Sequence, residues 1–165
     1  MTSVHTVMDS PVGPLTLVAS DGALTGVYMA EQRHRPDSGT FGVPDARAFA
    51  AAREQLEGYF GGEIREFELP TAPTGTAWQH RVWAALRAIP YGTTQSYGQL
   101  AATLGVPGAA RAVGLANGRN PLGIVVPCHR VIGSTGALTG YGGGLERKTW
   151  LLAHERQVAG QPALF

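Results

Sequence analysis

The chain has 165 residues, 44% hydrophobic and 15% charged, with a formal net charge of +1, which suits one large or two small domains. No apolar stretch approaches about 18 residues, so no membrane span is expected, and MTSVHTVMDS lacks the basic head and apolar run of a secretory signal. A single Cys excludes an internal disulfide and a multi-thiolate zinc site, and it points to a reducing, cytoplasmic compartment.

In chain order, Val4–Met8 reads as a short strand and residues 10–13 (SPVG) as a turn. Leu15–Ala19 and Leu24–Tyr28 flank Asp21-Gly22, a strong hairpin signal, so residues 4–28 form a β-meander. Residues 31–44 are polar with Pro and Gly and read as a loop. Asp45 can cap a helix to about Phe60 whose apolar stripe is Phe49, Ala52, Leu56 and Tyr59, ended by Gly61-Gly62. The segment LPTAPTG is the linker candidate. It divides the chain into an α/β support domain (1–70), a linker (71–75) and a second domain (76–165).

The second half reads as mostly helical. Thr76 with Gln79 and Ser96 with Gln99 are capping-box patterns. The first opens a helix with Trp78, Val82, Trp83, Leu86 and Ile89 as core, stopped by Pro90. The second opens a helix to about Leu104, broken by Gly105-Val106-Pro107 and followed by another over about Gly108–Asn117. Helix, tight turn, helix is the helix-turn-helix pattern. Ile124–Val126 is a short buried run, residues 132–137 a hairpin turn, and Gly142–Gly144 a loop. A last helix spans about Leu145–Arg156 with Leu145, Thr149 and Leu152 on one face, and the tail QVAGQPALF reads as loosely held.

Charge divides with the domains. Residues 1–75 hold five Arg against ten acids, a net of −5, while residues 76–165 hold eight basic residues against two acids, a net of +6. Such asymmetry points to a polyanion partner for the second half, or else to charge pairing between halves. The second helix of the pair, GAARAVGLANG, would be an unusual DNA reader. Its surface is Ala and Gly with one long side chain, Arg111. Small residues read little sequence but let a backbone approach a minor groove closely; they would equally pack on a neighbouring helix.

The chemistry gathers at PCHRV. Cys128 is an inert small hydrophobe or a nucleophile. A free thiol has a pKa of about 8.5, which nearby positive charge lowers. His129 is a structural imidazole or a base that takes the thiol proton, directly or through water, with Glu155 able to fix its tautomer. In an extended segment the two side chains would point apart, so a bend or a bridging water is required.

PCHRVIGSTGALTGYGGGLERKTWLLAHE resembles the active-site region of the O6-alkylguanine-DNA alkyltransferases (methylated-DNA–protein-cysteine methyltransferases), and IPYGTTQSYGQLA with PGAARAVGLANGRNP resembles their DNA-binding segment. The resemblance covers about residues 76–156, with SPVGPLTL a weaker match in the first half. It implies an α+β fold: an RNase H-like small antiparallel sheet with a helix, then a helical helix-turn-helix, winged-helix-like domain. It implies direct reversal of alkylation, in which O6-alkylguanine (and less well O4-alkylthymine) is flipped from double-stranded DNA through the minor groove and Cys128 takes the alkyl group once. His129 would be the base through a water, Glu155 its orienter, and Asn120 the brace of the turn between the recognition helix and the active-site segment. Tyr97 would displace a phosphate and hydrogen-bond the leaving base. Arg111 would fill the gap left by the flipped guanine, on a surface of Ala109, Ala110, Ala112, Gly114 and Ala116. Pro127, Val131, Tyr141 and Gly142 would wall the pocket.

The resemblance further implies no cofactor, no metal and a monomer able to cluster along DNA. The first half has His5 and His34 but no Cys for the zinc site of some members. Gly123 and Gly142 stand where other members can carry bulkier residues, so a roomier pocket is expected. Two rival readings remain: an alkyl-lesion sensor without transfer, and a helix-turn-helix transcription factor with an inert Cys. The first should lack Cys128, and the second should carry polar base-reading side chains on its recognition helix.

Overall fold

The computed structural model describes residues 2–160; the end of the tail, 161–165, lies outside them. Two compact units emerge, one gathering the chain up to Thr74 with Pro121–Val125, the other Gly75–Asn120 with the chain from Val126 on. The fold class is α+β, as expected. Among the described residues no helix is long and apolar enough to cross a membrane.

The first unit is built on β1 (Ser3–Met8), β2 (Leu15–Ser20) and β3 (Ala23–Met29), an antiparallel meander. Asp21 and Gly22 both sit at positive φ, 52° and 81°, which is what the favoured two-residue hairpin turn demands. The segment read as a loop, 31–44, holds one more strand: β4 (Val43–Pro44) pairs parallel to β1, giving the order β3-β2-β1-β4. The sheet is therefore antiparallel except at that edge. Gly42 makes the pairing possible, because a Cβ there would stand 1.8 Å from the Ser3 carbonyl oxygen. Pro44 brings no N–H to the edge.

Asp45 does cap, accepting from the Arg47 N–H, but the first turn is 3-10 and α1 proper is Ala50–Phe60. The expected stripe of Phe49, Ala52, Leu56 and Tyr59 is buried throughout. Each fully buried large side chain of this kind contributes about 1.5–3 kcal/mol. At the other side of the sheet β3 does not stand open. Leu24 N–H donates to Pro70 and Ala72 N–H to Leu24, while Val27 N–H donates to Pro121. Segments from both ends of this unit thus cover an edge that would otherwise recruit other strands.

In the second unit α2 (Ala77–Arg87) and α3 (Tyr97–Thr103) start at complete capping boxes, Thr76 with Gln79 and Ser96 with Gln99. Gly105, at φ 78°, ends α3: Val106 N–H reaches the Ala101 carbonyl and Gly105 N–H that of Ala102. This is the 6→1 and 5→2 pattern of a helix closed by a left-handed glycine. Next comes α4 (Ala110–Gly118). Trp83 is core and donates its indole N–H to the Ala116 carbonyl at 2.9 Å. Trp78, expected in the core, is only half-buried; its N–H bonds the Ala112 carbonyl at 3.2 Å and Arg81 lies over its ring. The indole needs that carbonyl, and reaching it holds the ring at the rim.

β5 (Gln95–Ser96) and β6 (Val131–Ile132) form a short parallel pair. Residues 133–137 turn as expected, with Gly133 N–H on the Ala137 carbonyl. The last helix, α5, is Leu145–Val158. Its inward face is not the apolar one expected. Lys148, Leu151, Leu152 and Glu155 are buried, Leu145 is exposed and Thr149 is half-buried. The buried set keeps helical spacing, but two of its four members are charged.

Candidate active site and nucleic-acid face

The PCHRV segment is shaped by tight turns. Pro127 sits at φ −80°, ψ 64°, and Cys128 N–H donates to the Val126 carbonyl at 2.8 Å, an inverse γ-turn. Cys128–Arg130 then form one 3-10 turn. The bend required between Cys128 and His129 is that turn, in which successive side chains diverge by a third of a revolution instead of pointing to opposite faces. Two asparagines of the α4 region hold it. Asn120 Nδ2 donates to the Val126 carbonyl at 2.9 Å and Asn117 Nδ2 to the Cys128 carbonyl at 3.3 Å. Upstream, in the first unit, Ile124 is held at φ 71° with Val125 N–H on the Gly123 carbonyl. A β-branched residue in that conformation is strained.

Glu155 is the hub. One carboxylate oxygen meets His129 Nε2 at 2.7 Å, and both accept from Arg130, Nε at 2.8 Å and Nη2 at 3.0 Å. Gly92 N–H adds a bond at 3.2 Å. Burial pushes this carboxyl up, but the His129 and Arg130 partners overcome it and hold it below the usual carboxylate range. An ionised carboxylate only accepts, so His129 carries its hydrogen on Nε2 and Nδ1 is left as an acceptor. His129 is fully buried and Nδ1 has no protein partner. Burial also lowers its pKa, against the pull of Glu155. The imidazole is therefore neutral at neutral pH and free to take a proton.

Cys128 is a free, buried thiol. Its pKa is raised, not lowered as expected, because burial outweighs the bonds from Asn120 and Tyr141 and the charge of Lys148. The neighbouring Arg130 does not activate it; that guanidinium is spent on Glu155, on the Ile89 carbonyl at 2.8 Å and over the Tyr91 ring. A protonated thiol beside a neutral imidazole needs proton removal at the moment of attack.

Of the expected pocket residues, Pro127, Val131 and Tyr141 are buried and Gly142 is half-buried. Tyr141 hydrogen-bonds the Cys128 thiol. Gly123 belongs to the first unit, where its N–H meets the Val27 carbonyl and an added Cβ would stand 3.2 Å from that oxygen. Packing on β3 accounts for this glycine without any appeal to pocket room. Tyr97 donates to the Thr139 carbonyl at 3.4 Å, a long bond that is easily exchanged.

Sequence reasoning gave no role to Lys148, the one Lys in the chain. It is fully buried, and its Nζ donates to the carbonyls of Val131 at 2.6 Å, Thr139 at 2.9 Å and Gly140 at 3.5 Å. Burial brings its pKa down to about 8. It ties β6 to the loop before Tyr141. As one charge among those of Glu146, Arg147, Glu155 and Arg156 on the same helix, it gave no sign of burial.

On α4 the expected surface divides. Arg111 and Ala112 are exposed, and Ala109, Ala110 and Gly114 are half-buried. Ala116 is buried and faces inward, toward the Trp83 N–H. Four residues after Arg111, and so one turn along the same face, stands Leu115, 69% exposed, with exposed Arg119 one turn further. Gly114 lies under the Tyr97 ring, where a Cβ would be 3.7 Å from it. Two of the eight basic groups in this half, Arg130 and Lys148, are buried, so the cationic surface comes from arginines alone.

Two family profiles cover the chain: 6-O-methylguanine DNA methyltransferase, ribonuclease-like domain, over residues 3–73, and the DNA binding domain of the same family over residues 77–157. A methylated-DNA–protein-cysteine methyltransferase of Mycolicibacterium paratuberculosis is 56% identical, over 93% of this chain and 92% of its own. One from Methanosarcina acetivorans is 45% identical over 92% and 97%. The crystal structure of Mycobacterium tuberculosis OGT in complex with DNA superposes with a TM-score of 0.90 at 53% identity, over 97% of this chain and 96% of that one. With a profile on each half and relatives of this identity along nearly its whole length, the chain belongs to the 6-O-methylguanine DNA methyltransferase family.

Proposed function

We propose that the protein repairs DNA by direct reversal, moving the alkyl group of O6-alkylguanine in duplex DNA, and less efficiently that of O4-alkylthymine, onto Cys128. The observation that carries this reading is a buried free thiol one residue from a neutral imidazole whose tautomer Glu155 fixes. The thiol proton passes through a water to His129 Nδ1. Sulfur attacks the alkyl carbon, the S–C bond forms, the C–O6 bond breaks and its electron pair leaves with guanine. That leaving group is the charge to be stabilised, and the Tyr97 O–H is the donor, released from its long bond to Thr139. The product is a thioether, which thiol exchange cannot reverse, and no second Cys exists to attempt it. Cys128 therefore works once.

The reacting carbon lies inside the duplex, so the nucleotide must be flipped, at a cost of a few kcal/mol. α4 presents the small surface of Ala109, Ala110, Ala112 and Gly114 to the minor groove, with Arg111 entering the stack. Support comes from the exposure of Arg111 and Ala112 and from the Mycobacterium tuberculosis relative, which was crystallised with DNA. Pro127, Val131, Tyr141 and Gly142 enclose the base. The Val131 carbonyl keeps a second lone pair for it while accepting from Lys148. Cys128, His129 and Glu155 lie on one chain, and the reading takes the protein to act as a monomer.

Incubation with a duplex carrying O6-methylguanine, followed by intact-mass measurement, tests the reading. A gain of one methylene, absent in Cys128→Ser, is expected. Tight binding to the lesion with no mass gain would overturn it in favour of a lesion sensor.

A further inference from the structure

The thiol and its base do not meet directly, since His129 Nδ1 has no hydrogen-bond partner in the protein. A second buried polar atom shares that condition: Asn117 Oδ1, on a side chain of a residue only 4% exposed. The orientation of this amide is fixed by its other end. The Cys128 carbonyl can only accept, so the atom facing it at 3.3 Å is Nδ2 and the free atom is the oxygen. Both unpartnered acceptors thus flank one peptide, the one joining Cys128 to His129. A thiol, which can donate, sits on the same peptide.

Two acceptors and one donor match the bonding of a single water, which is usually held by about three hydrogen bonds when buried. Its two O–H groups go to the acceptors and a lone pair to the S–H. We propose that Asn117 is a positioning residue for thiol deprotonation: Nδ2 holds the Cys128 carbonyl, and Oδ1 accepts one O–H of the relay water, so that the other O–H points at His129 Nδ1. This rests on the reading of Cys128 as acceptor and His129 as base. The S–H proton moves to the water as the water's own proton moves to Nδ1, leaving thiolate, imidazolium and an unchanged water. Without Asn117 the water can turn, and its donating O–H is no longer committed to the base. Asn117 lies on the inward face of α4 with Val113 and Ala116, so the helix that faces DNA on one side orients the proton path on the other.

The test is Asn117→Leu, which keeps the bulk and removes both polar atoms. The rate of Cys128 benzylation by free O6-benzylguanine is followed by intact mass from pH 6 to 10. A general base contributes about 10²–10⁴-fold, so loss of its alignment alone is expected to slow the variant about tenfold to thirtyfold at pH 7. The gap should narrow at high pH, where hydroxide ionises the thiol without the relay. An unchanged rate, or a loss equal at every pH, overturns the proposal, the second because it would mark a structural role only. If the variant fails to fold, a high-resolution crystal structure of the wild-type protein decides. A water within hydrogen-bond distance of both Asn117 Oδ1 and His129 Nδ1 supports the proposal, and an ordered site without one overturns it. Wild-type protein that never gains alkyl mass would instead sink the underlying reading, which separates the two failures.

Discussion

In the first unit the buried polar side chains are the hydroxyls of Thr6, Thr16 and Ser20, whereas the second buries Asn117, Asn120, His129, Arg130, Lys148 and Glu155. The first is held by apolar packing around a sheet. The second takes three full charges out of water, and each is tolerated only because its bonds are nearly complete: Glu155 accepts from three residues, Arg130 donates to two, and Lys148 to three carbonyls. Buried ion pairs add little net stability but cost heavily when half of one is removed. The two units should therefore fail differently, the first by loss of contact area, the second by loss of a partner.

The largest effect is expected from Glu155→Gln. It leaves Arg130 buried with a neutral partner and no longer fixes His129, so a loss of about 3–5 kcal/mol in urea unfolding is expected, with alkyl transfer abolished in what remains folded. The pH dependence carries the same signature. The carboxyl is held below its ordinary value near 4.5. Its stabilisation is thus complete above about pH 4.5 and drains away as pH falls toward the folded-state pKa. Wild-type stability should slide across that acid range and the variant's should slide less. Identical acid limbs would remove the distinction between the units.

Leu56→Ala makes the matching cut in the first unit. Leu56 is fully buried on α1, so a cavity cost of about 2–5 kcal/mol is expected. That loss should be the same at pH 5 and pH 8, since no ionisable group is involved. Molecules that stay folded should react with free O6-benzylguanine at the wild-type rate. A rate that falls with stability would tie the first unit to the chemistry.

The same contrast explains what could be read from the sequence. Elements decided by their own residues were legible: the Asp21-Gly22 hairpin, the two capping boxes and the glycine stop at Gly105. So was the pairing of His129 with Glu155, an imidazole and a carboxylate suited to one another. What escaped was decided by distant partners. Lys148 turns inward because the Val131 carbonyl, 17 residues away, accepts from it, and apolar periodicity assigned that face to Leu145 and Thr149 instead. β4 exists because two residues reach back to β1. Asn117 passed for one more small residue on a smooth helix, since only the fold shows its amide on the Cys128 carbonyl. The raised thiol pKa was missed for the same reason, as burial is not written beside Cys128.

The smallest effect on stability, and the most selective on function, is expected at the outer face of α4. Arg111 is exposed, so Arg111→Ala should change unfolding free energy by no more than about 0.5 kcal/mol. If its role is to occupy the space a flipped base vacates, its loss leaves the unstacked state without a substitute for the missing contacts. Transfer from O6-methylguanine in duplex DNA should then slow by roughly tenfold or more, equivalent to about 1.4 kcal/mol, while the reaction with free O6-benzylguanine, which needs no flipping, stays near the wild-type rate. Equal losses on both substrates would place Arg111 in the chemistry or in general folding and end its assignment as the intercalating side chain. A loss confined to duplex DNA would confirm that the second unit keeps its binding face and its buried charges energetically separate.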